Sequence, residues 1–383
     1  MNDQRDDRPE APDSRAGDDL ASAEKARKKV KAADDGSPVP VVAIGASAGG
    51  LAALQEFFAA MPASPGIAFL VITHASSERE SLLPELLARE TDLEVRPCHD
   101  GDRLAPDRVL VVASTSVEIE DGMVLLGSAD TSTDGPPHPI DQAFRVLAVD
   151  QGERAICIVL SGSGNDGTLG IRAVKEAGGL VMAQKPETAQ YAAMPENAID
   201  TDLVDVVRPA RELPGELVAY CRGSHALFDR RAVPPELPDA TVQAILVRLR
   251  SHTGHDFTFY KKSTMTRRIE RRMAVNHIED PGEYLAYLRD NPRELELLLK
   301  ELLISVTSFF RDHQSWQALG DQIDAHLLPT RDDGHIIRAW VPGCATGEEA
   351  YSLAILLDER IQDAGGTQDV QIFATDLDAD AVE

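Results

Sequence analysis

The sequence predicts a multidomain α/β protein in which a parallel-sheet domain precedes an all-α region and the start of a second α/β domain. Between residues 39 and 224, short continuous apolar runs alternate with amphipathic helical stretches, a pattern typical of a parallel sheet covered on both faces. Residues 240–316 show helical periodicity without a strand pattern. Two more apolar runs, at 336–341 and 370–375, flank one further helical stretch.

The composition supports folded domains over most of the chain. With 383 residues and 43% hydrophobic side chains, the chain is long enough for two or three domains with hydrophobic cores. Residues 1–38 differ, because they are charged and almost free of large apolar side chains, and we expect a disordered tail there. Three prolines between residues 234 and 238 indicate a linker over 225–239.

Charge and apolar patterning exclude several classes of protein. A formal net charge of −26 argues against nucleic acid as a general partner, because phosphate binding needs a local excess of lysine and arginine. No apolar run approaches the roughly 18 residues of a membrane span, and the charged start is not a secretory signal. The four scattered cysteines favour reduced thiols. We therefore expect a cytoplasmic protein without membrane insertion.

Five apolar runs rich in β-branched residues are the predicted strands of the first domain. They occupy residues 41–47, 69–74, 108–113, 156–162 and 179–184. The helices predicted between them cover residues 51–61, 81–90, 140–150 and 167–178, with a last helix inside 209–233.

Ser47 lies in a turn of small residues, Gly-Ala-Ser-Ala-Gly-Gly, between the first predicted strand and the first helix. Such a turn can project a serine hydroxyl above the sheet edge, and the helix N-terminus behind it favours a developing oxyanion. A strand, a glycine turn and a helix also open dinucleotide-binding folds, although the serine stands where that motif needs its second glycine. The turn alone leaves both interpretations open.

Two further strand ends favour a hydrolase. His74 ends the second predicted strand, and Asp166 lies in a glycine-rich loop after the fourth. Because the carboxyl ends of parallel strands meet at one edge of a sheet, a nucleophile, a base and an orienting acid can assemble there. A single histidine at a strand end is more often structural, so the prediction of a triad depends on the joint occurrence with Ser47 and Asp166. We predict no metal site.

The motifs of this domain resemble the catalytic domain of the CheB family of chemotaxis methylesterases. They are, in order, GASAGG, the strand-ending TH, HPIDQAFRVLA, GSGNDGTLG and AQKPETAQYAAMPENAI. The resemblance implies hydrolysis of glutamate γ-methyl esters on chemoreceptors without a cofactor, with glutamine deamidation as an accompanying reaction. It assigns Ser47 as nucleophile, His74 as general base and Asp166 as the residue that orients the imidazole. Ser163 departs from the family, which has a methionine near the oxyanion site there.

A strongly basic helical stretch lies at residues 258–273 of this acidic chain. Its cations are Lys261, Lys262, Arg267, Arg268, Arg271 and Arg272. Helical spacing lets Lys261, Arg268 and Arg272 share one face. A solvated face is one interpretation, and a groove for an acidic protein is the other. Nucleic-acid binding lacks interleaved aromatic residues.

A second strand–turn–helix unit follows, with glycines at positions 343 and 347. It lacks the third glycine of dinucleotide folds, and the next strand ends in Asp376, whose carboxylate can accept both hydroxyls of a ribose. This combination suggests S-adenosylmethionine, a nucleoside without pyrophosphate. An ordinary α/β crossover with a tight turn is the alternative.

The second half of the chain is similar to the CheR family of chemoreceptor methyltransferases. The shared motifs are FYKKSTMTRRIERRM, VTSFFRD, WVPGCATGEEAYSLA and FATDLD. The resemblance implies glutamate O-methylation with S-adenosylmethionine, a helical region at 240–316 whose basic helix faces the receptor, and a Rossmann-like domain from 317 that we expect to be truncated at Glu383. It implies cofactor contacts by Ser305, Thr307, Arg311, Glu349 and Asp376, although the family usually has asparagine at the first of these.

The sequence thus predicts a methylesterase fused to an incomplete methyltransferase, both acting on chemoreceptors. A signalling scaffold with enzyme-like domains is the competing hypothesis. A carboxylesterase for small molecules would need an apolar pocket, which the sequence does not show. Opposed activities on one chain need regulation, and one further hypothesis is that the helical region covers the Ser47 cleft.

Overall fold

A computed structural model describes residues 39–73, 82–113, 116–127, 138–223, 237–303, 307–328 and 336–382. The predicted tail over 1–38 and most of the predicted linker lie outside these residues, as do His74 and Ser305. Within the described ranges, none of the helices is both long enough and apolar enough to cross a membrane.

Ten strands precede residue 223 in the described part of the chain. They are β1 (Val41–Ala46), β2 (Ala68–Thr73), β3 (Glu94–Pro97), β4 (Asp102–Arg103), β5 (Arg108–Ala113), β6 (Ser116–Glu120), β7 (Met123–Gly127), β8 (Ala155–Val159), β9 (Leu180–Gln184) and β10 (Val206–Arg208). Seven form one sheet in the order β10-β9-β8-β1-β2-β5-β3, in which every neighbouring pair is parallel. The predicted parallel sheet is confirmed.

Helices cover both faces of this sheet. They are α1 (Gly50–Ala59), α2 (Leu83–Leu87), α3 (Pro139–Gln151), α4 (Thr168–Glu176), α5 (Ala193–Ile199) and α6 (Leu213–Gly223). Val42 and Ile44 of β1 belong to the apolar cluster with α1 and α6, whereas Val41 and Ala43 belong to the cluster with α3 and α4. Successive strand residues point to opposite faces, and both faces are buried at the central strands β1, β2, β8 and β9, so these strands are mostly apolar.

A small antiparallel sheet, in the order β4-β7-β6, and the edge strands β3 and β10 were not predicted from the sequence. β4 and β10 have only two and three residues. β6 alternates buried Val117 and Ile119 with exposed glutamates, which is the pattern of a strand with one face in water. β3, β4, β6 and β10 lack the continuous apolar run that identifies a central parallel strand, and the apolar run of β7 has only four residues.

Residues 237–303, the helical region, contain no strand. They form α7 (Asp239–Thr253), α8 (Lys262–Val275), α9 (Pro281–Asp290) and α10 (Pro292–Leu303) around a core that includes Leu249, Ile269, Tyr284 and Leu298. α8 contains the predicted basic stretch from Lys262 onward.

The last described segment begins a second α/β unit. It consists of α11 (His313–Gln322), a π-helical turn at Ile323–Leu327, β11 (Ile337–Pro342), α12 (Glu348–Asp363), β12 (Val370–Thr375) and α13 (Ala379–Val382). β11 and β12 are parallel neighbours, and Ile337, Leu357 and Ile361 pack in one apolar cluster. The predicted fold class, a parallel-sheet domain followed by an all-α region and the start of another α/β unit, is confirmed.

The helical region packs against the edge of the large sheet where β8, β9 and β10 begin, which we call the basal edge. Arg271 of α8 donates hydrogen bonds to the Gly179 carbonyl oxygen (2.6 Å) and to the Asp205 carboxylate (2.7 Å). Both acceptors directly precede strands, β9 and β10. From the other side, Lys175 of α4 pairs with Glu301 of α10 at 3.3 Å. The contact therefore lies at the amino ends of the strands.

More exposed ion pairs surround this contact. Arg267 meets Glu153 at 3.1 Å, and the His277 imidazole meets Glu216 at 2.6 Å. Ser47 follows the carboxyl end of β1, at the opposite edge of the sheet, so the hypothesis that the helical region covers its cleft is wrong.

We expect acid to weaken this interface. Burial alone would raise the pKa of Asp205, but Arg271 and Lys175 hold that pKa below its ordinary value, and the same two cations together with Arg268 lower the pKa of Glu301. A carboxylate whose folded pKa is depressed adds stability above its unfolded pKa, and that stability is lost as the pH falls through the folded pKa. The loss should therefore begin below about pH 5, because the ordinary values are 3.8 and 4.5.

Urea denaturation of wild type and Asp205→Asn tests this expectation. At pH 7 the variant should be less stable by about 3–5 kcal/mol, since it leaves the Arg271 charge buried with one partner fewer. The difference should shrink as the pH approaches 3. Glu118→Gln, which removes an exposed charge on β6, should stay within about 0.5 kcal/mol of wild type. If the difference in stability between wild type and Asp205→Asn did not change with pH, the expected link between the depressed pKa of Asp205 and stability would be contradicted.

Candidate active site and cofactor pocket

Ser47 is half-buried in the turn between β1 and α1. Its backbone N–H donates to the Ser161 carbonyl oxygen (3.0 Å), and its own carbonyl oxygen accepts from the Gly50 N–H (2.8 Å). Gly49 has a left-handed φ of 71°, and a Cβ there would lie 2.7 Å from Ser161 Oγ, so both conformation and space require glycine. No described side chain caps the N-terminus of α1, where the helix dipole favours negative charge beside Ser47.

Ser161 links three segments around this turn. Its buried hydroxyl donates to the Ala48 carbonyl oxygen (3.0 Å) and accepts from the Tyr191 N–H (3.0 Å). Its backbone N–H donates to Gln184 Oε1 at the end of β9 (2.9 Å). The serine turn, the end of β8 and the segment after β9 are therefore held in one arrangement. The sequence analysis missed Ser161, because a lone serine after an apolar strand carries no motif.

We expect Ser161→Ala to destabilise the protein by about 1–3 kcal/mol, because the Tyr191 amide loses its acceptor in a partly buried place. Urea denaturation at pH 7 measures the loss. Ser163→Ala serves as the control, since that side chain is exposed two residues further on and should change stability by less than about 0.5 kcal/mol. Equal effects of the two substitutions would show that the Ser161 hydroxyl has no such bridging role.

Asp166 is almost fully buried at 4% exposure, and its carboxylate is held by the start of α3. Oδ1 accepts from the N–H groups of Asp141 and Gly167 (both 2.9 Å), and Oδ2 accepts from the Ile140 N–H (3.0 Å). The Nδ1 atom of His138 lies 3.7 Å from Oδ1. Three backbone donors fix the orientation of this carboxylate, as an acid that positions an imidazole requires.

Asp141 forms the reciprocal link from α3 to α4. Its Oδ1 accepts from the Gly170 N–H (2.7 Å), and burial raises its pKa, an effect that the Gly170 bond opposes and the Asp166 carboxylate reinforces. The potential ligand atoms of His138, Asp141 and Asp166 lie within 4.8 Å of one another, a grouping that could hold a metal ion by residue type. Because both carboxylates accept backbone N–H groups, we assign the grouping to the connection between the two helices.

The register of β1 and β2 bears on the predicted base. Ala46 is paired with Thr73 on neighbouring parallel strands, which lie about 4.8 Å apart, and these two residues directly precede Ser47 and His74 in the chain. His74 itself lies outside the described residues. The triad therefore stays a prediction, with Ser47 and Asp166 both at the carboxyl edge of the sheet.

A cavity of about 350 Å³ lies beside the turn after β11. Three predicted cofactor residues line it, Thr307, Arg311 and Glu349, together with Trp316 of α11 and Gly343 of the turn. Its volume is in the range of small-molecule sites. Arg311 also pairs with Glu176 of α4 at 3.0 Å, so one guanidinium contacts both the cavity and the first domain.

Asp376 supports the turn beside this cavity and does not line it. Its Oδ2 accepts from the Ala345 N–H (2.7 Å), and its Oδ1 accepts from the Asp378 N–H (2.8 Å). Each carboxylate oxygen has a second lone pair, so the ribose contact stays a prediction. Gly343 and Gly347 have positive φ values of 73° and 96°, a conformation that favours glycine. The cavity, the turn and the charged side chains fit S-adenosylmethionine.

The fold and the two sites define a candidate serine hydrolase joined to a candidate nucleoside-binding methyltransferase. Comparison with protein-family models agrees with this class. Residues 42–217 match the CheB methylesterase family, residues 240–303 match the all-alpha domain of the CheR methyltransferase, and residues 305–383 match its SAM binding domain. The first half of the chain is thus similar to the CheB methylesterase family, and the second half to the two domains of the CheR methyltransferase family.

Individual relatives match different shares of the chain. An uncharacterized 104.1 kDa protein of Rhodobacter capsulatus is 36% identical over 323 residues, which are 79% of this chain and 34% of that protein. A protein-glutamate methylesterase/protein-glutamine glutaminase of Anaeromyxobacter dehalogenans is 36% identical over 49% of this chain and 56% of its own length. The CheB methylesterase catalytic domain of Thermotoga maritima matches 47% of this chain and 97% of that structure, with 27% identity and a TM-score of 0.44. The chain thus spans about a third to somewhat over half of these two curated relatives.

Proposed function

We propose that the first domain hydrolyses glutamate γ-methyl esters on chemoreceptors through Ser47, His74 and Asp166. The observation that carries this proposal is the pairing of Ala46 with Thr73 at the ends of neighbouring parallel strands, because these two residues directly precede Ser47 and His74 in the chain. The buried Asp166 carboxylate, oriented by backbone donors at the same sheet edge, supports the third role.

In the proposed reaction, Ser47 Oγ attacks the ester carbonyl carbon while the His74 imidazole takes the hydroxyl proton. The tetrahedral intermediate collapses, its C–O bond to the methoxy group breaks, and the imidazolium returns the proton to form methanol. Water activated by the same imidazole then hydrolyses the acyl-serine and leaves a glutamate carboxylate. Asp166 orients the imidazole, and the N-terminus of α1 with backbone donors near Ser163 stabilises the oxyanion.

Relatives named as both methylesterase and glutaminase support a second substrate for the same site. Attack of Ser47 on a glutamine side-chain amide would give the same acyl-serine and release ammonia in place of methanol. No cofactor takes part in either reaction. We propose that both substrates belong to the cytoplasmic domains of chemoreceptors, which makes the protein cytoplasmic.

We propose further that residues 305–383 bind S-adenosylmethionine, which supplies the methyl group for glutamate esterification when bound. Arg311 suits the carboxylate of the methionine moiety, and Glu349 suits its ammonium group. Thr307 and Ser305 contribute hydroxyl groups, and Asp376 accepts from the ribose. The boundaries we propose are 39–224 for the esterase, 240–316 for the helical domain and 317 onward for the methyltransferase domain.

Glu349→Gln should weaken S-adenosylmethionine binding by roughly tenfold or more, because a hydrogen bond between charged groups contributes about 1.5–3 kcal/mol. Isothermal titration calorimetry on the whole chain measures the dissociation constant. Glu348→Gln is the matched control: it removes the same charge from the neighbouring residue, whose carboxylate bonds to Thr346 Oγ1. Equal losses in the two variants would argue against the Glu349 contact.

Methanol release tests the esterase directly. A chemoreceptor cytoplasmic fragment carrying tritiated methyl esters is incubated with the chain, and volatile tritium is counted. We expect steady release, and none from a receptor fragment whose methylated glutamates are replaced by alanine. If the esterified fragment binds without releasing methanol, the esterase proposal fails and the scaffold hypothesis takes its place.

A further inference from the structure

Seven charged side chains lie buried together between the sheet and the helical region. They are the cations Lys175, Arg268, Arg271 and Arg272 and the carboxylates of Asp205, Glu294 and Glu301, and none of these side chains is more than 15% exposed. Four cations against three carboxylates leave one positive charge in excess. A buried positive excess attracts anionic groups at its solvent-exposed margins.

Some of these ion pairs lie within the helical region, and others join it to the basal edge. Arg272 makes a two-pronged contact with Glu294 (2.9 and 2.7 Å), whose Oε1 also accepts from Tyr284 OH, so this pair belongs to the core of the helical region. Arg271 also bonds to Glu301 within the helical region, but its Nη2 reaches across to Asp205 and the Gly179 carbonyl oxygen. The basal edge thus provides a carboxylate and a carbonyl oxygen to the most deeply buried cation of α8.

Arg267 of α8 also pairs with a carboxylate of the basal edge, at the surface of the protein. Its guanidinium, half exposed, meets Glu153 at 3.1 Å just before β8. Glu153 and Asp205 therefore contact Arg267 and Arg271, four residues apart on one side of α8. A strand of acidic polypeptide would present carboxylates and carbonyl oxygens to these arginines in the same way.

We propose that the basal edge acts as an internal substitute for an acidic polypeptide, and that α8 binds such a polypeptide only after the helical region separates from the sheet. This inference rests on the proposed function, in which the second half of the chain esterifies glutamate side chains, and on the expectation from the sequence that the basic helix faces the receptor. It adds that the esterase domain covers that surface and so controls access to the methyltransferase half.

Three features of the contact between the helical region and the basal edge favour its opening. Its centre is ionic, and buried ion pairs lose much of their Coulomb attraction to desolvation. The buried Nε of Arg271 has no hydrogen-bond acceptor among the described residues. A cavity of about 90 Å³ at the boundary is lined by four cations and three carboxylates, which are Lys175, Arg268, Arg272, Lys300, Asp202, Asp205 and Glu301. The cations outnumber the carboxylates by one, so an incoming carboxylate can begin to compete there.

A disulfide can hold the contact closed. A Cβ built on Gly223, at the end of α6, lies 3.9 Å from the Ala274 Cβ on α8, within the range for a disulfide. We would make Gly223→Cys with Ala274→Cys in the whole chain. Cys221 is replaced by alanine to remove a nearby thiol, although burial raises its pKa to about 12 and makes it unreactive.

The probe is fluorescein-labelled poly-L-glutamate, with binding followed by fluorescence anisotropy at low ionic strength. We expect the oxidised protein to bind it at least tenfold more weakly than the same protein after reduction. The single variant Gly223→Cys should bind equally in both redox states. In the reduced protein, Arg267→Gln should weaken binding, whereas Arg89→Gln, which removes the same charge from an exposed residue just after α2, should not.

Two outcomes would overturn the inference. Equal binding by the oxidised and reduced forms would mean that the basal edge does not cover the surface, and binding by neither form would mean that α8 is no such surface. Methanol release is measured on the same samples and should not respond to the disulfide, because Ser47 lies at the opposite edge. Loss of methanol release in both forms, with redox-dependent binding intact, would count against the esterase proposal alone.

Discussion

Ser47→Ala is expected to reduce methanol release by about 10⁶-fold, the size of effect seen when a triad serine is removed from a serine hydrolase. The substitution deletes only Oγ, since the backbone bonds of Ser47 to Ser161 and Gly50 are made by its N–H and carbonyl groups. The fold should therefore survive. Reaction with a fluorophosphonate probe should disappear in the same variant.

Ser64→Ala is the control for this substitution, because Ser64 is exposed in the loop before β2, at the amino end of the strands. It should release methanol at the wild-type rate. Circular dichroism and urea denaturation would verify that both variants are folded. If Ser47→Ala kept more than a tenth of the wild-type rate, another nucleophile would have to be sought.

Asp166→Asn should lower the rate of methanol release by roughly 10⁴-fold, as loss of the orienting carboxylate does in a serine protease triad. It should also reduce stability. The carboxylate accepts from three N–H groups at the start of α3 and at Gly167, and an amide would turn its NH₂ group toward at least one of them. A buried donor that loses its acceptor costs about 1–3 kcal/mol.

Asp141→Asn separates the two effects. Asp141 is equally buried and accepts the Gly170 N–H, but it has no part in the proposed triad. We expect a comparable loss in urea stability with a rate of methanol release within tenfold of wild type. Equal losses of rate in the two variants would mean that Asp166 acts only by holding α3, and that another group orients the imidazole.

Much of the fold was predictable because its signals are local. A central parallel strand is buried on both faces, so β1, β2, β5, β8 and β9 each appear as a continuous apolar run. β6 is different: Val117 and Ile119 alternate with glutamates over only five residues, and such a short period-two pattern is easily overlooked. β4 and β10 are too short to leave any pattern, and only their pairing with neighbouring strands defines them.

In the candidate site, too, some features have a local sequence signal and others do not. Ser47 and Asp166 were predictable because each lies in a glycine turn at a strand end, and parallel strands bring such ends to one edge. The role of Ser161 depends on partners at positions 48, 184 and 191, and the capping of α3 by Asp166 joins residues 25 and 26 apart. Contacts over such distances in the chain follow from packing, and no local pattern encodes them.

By itself, the sequence determined the kinds of residue at each strand end, the basic character of α8 and the order of the three regions, because these depend on composition and periodicity. Only the tertiary structure decided what the arginines of α8 contact. Charge pattern alone left open whether they face water or an acidic partner. Arg268 and Arg272, predicted to share one face with Lys261, are mostly buried against Glu301 and Glu294. The physical reason is that a buried cation requires a carboxylate within a few ångströms, and which carboxylate it meets is set by how the helical region packs on the basal edge.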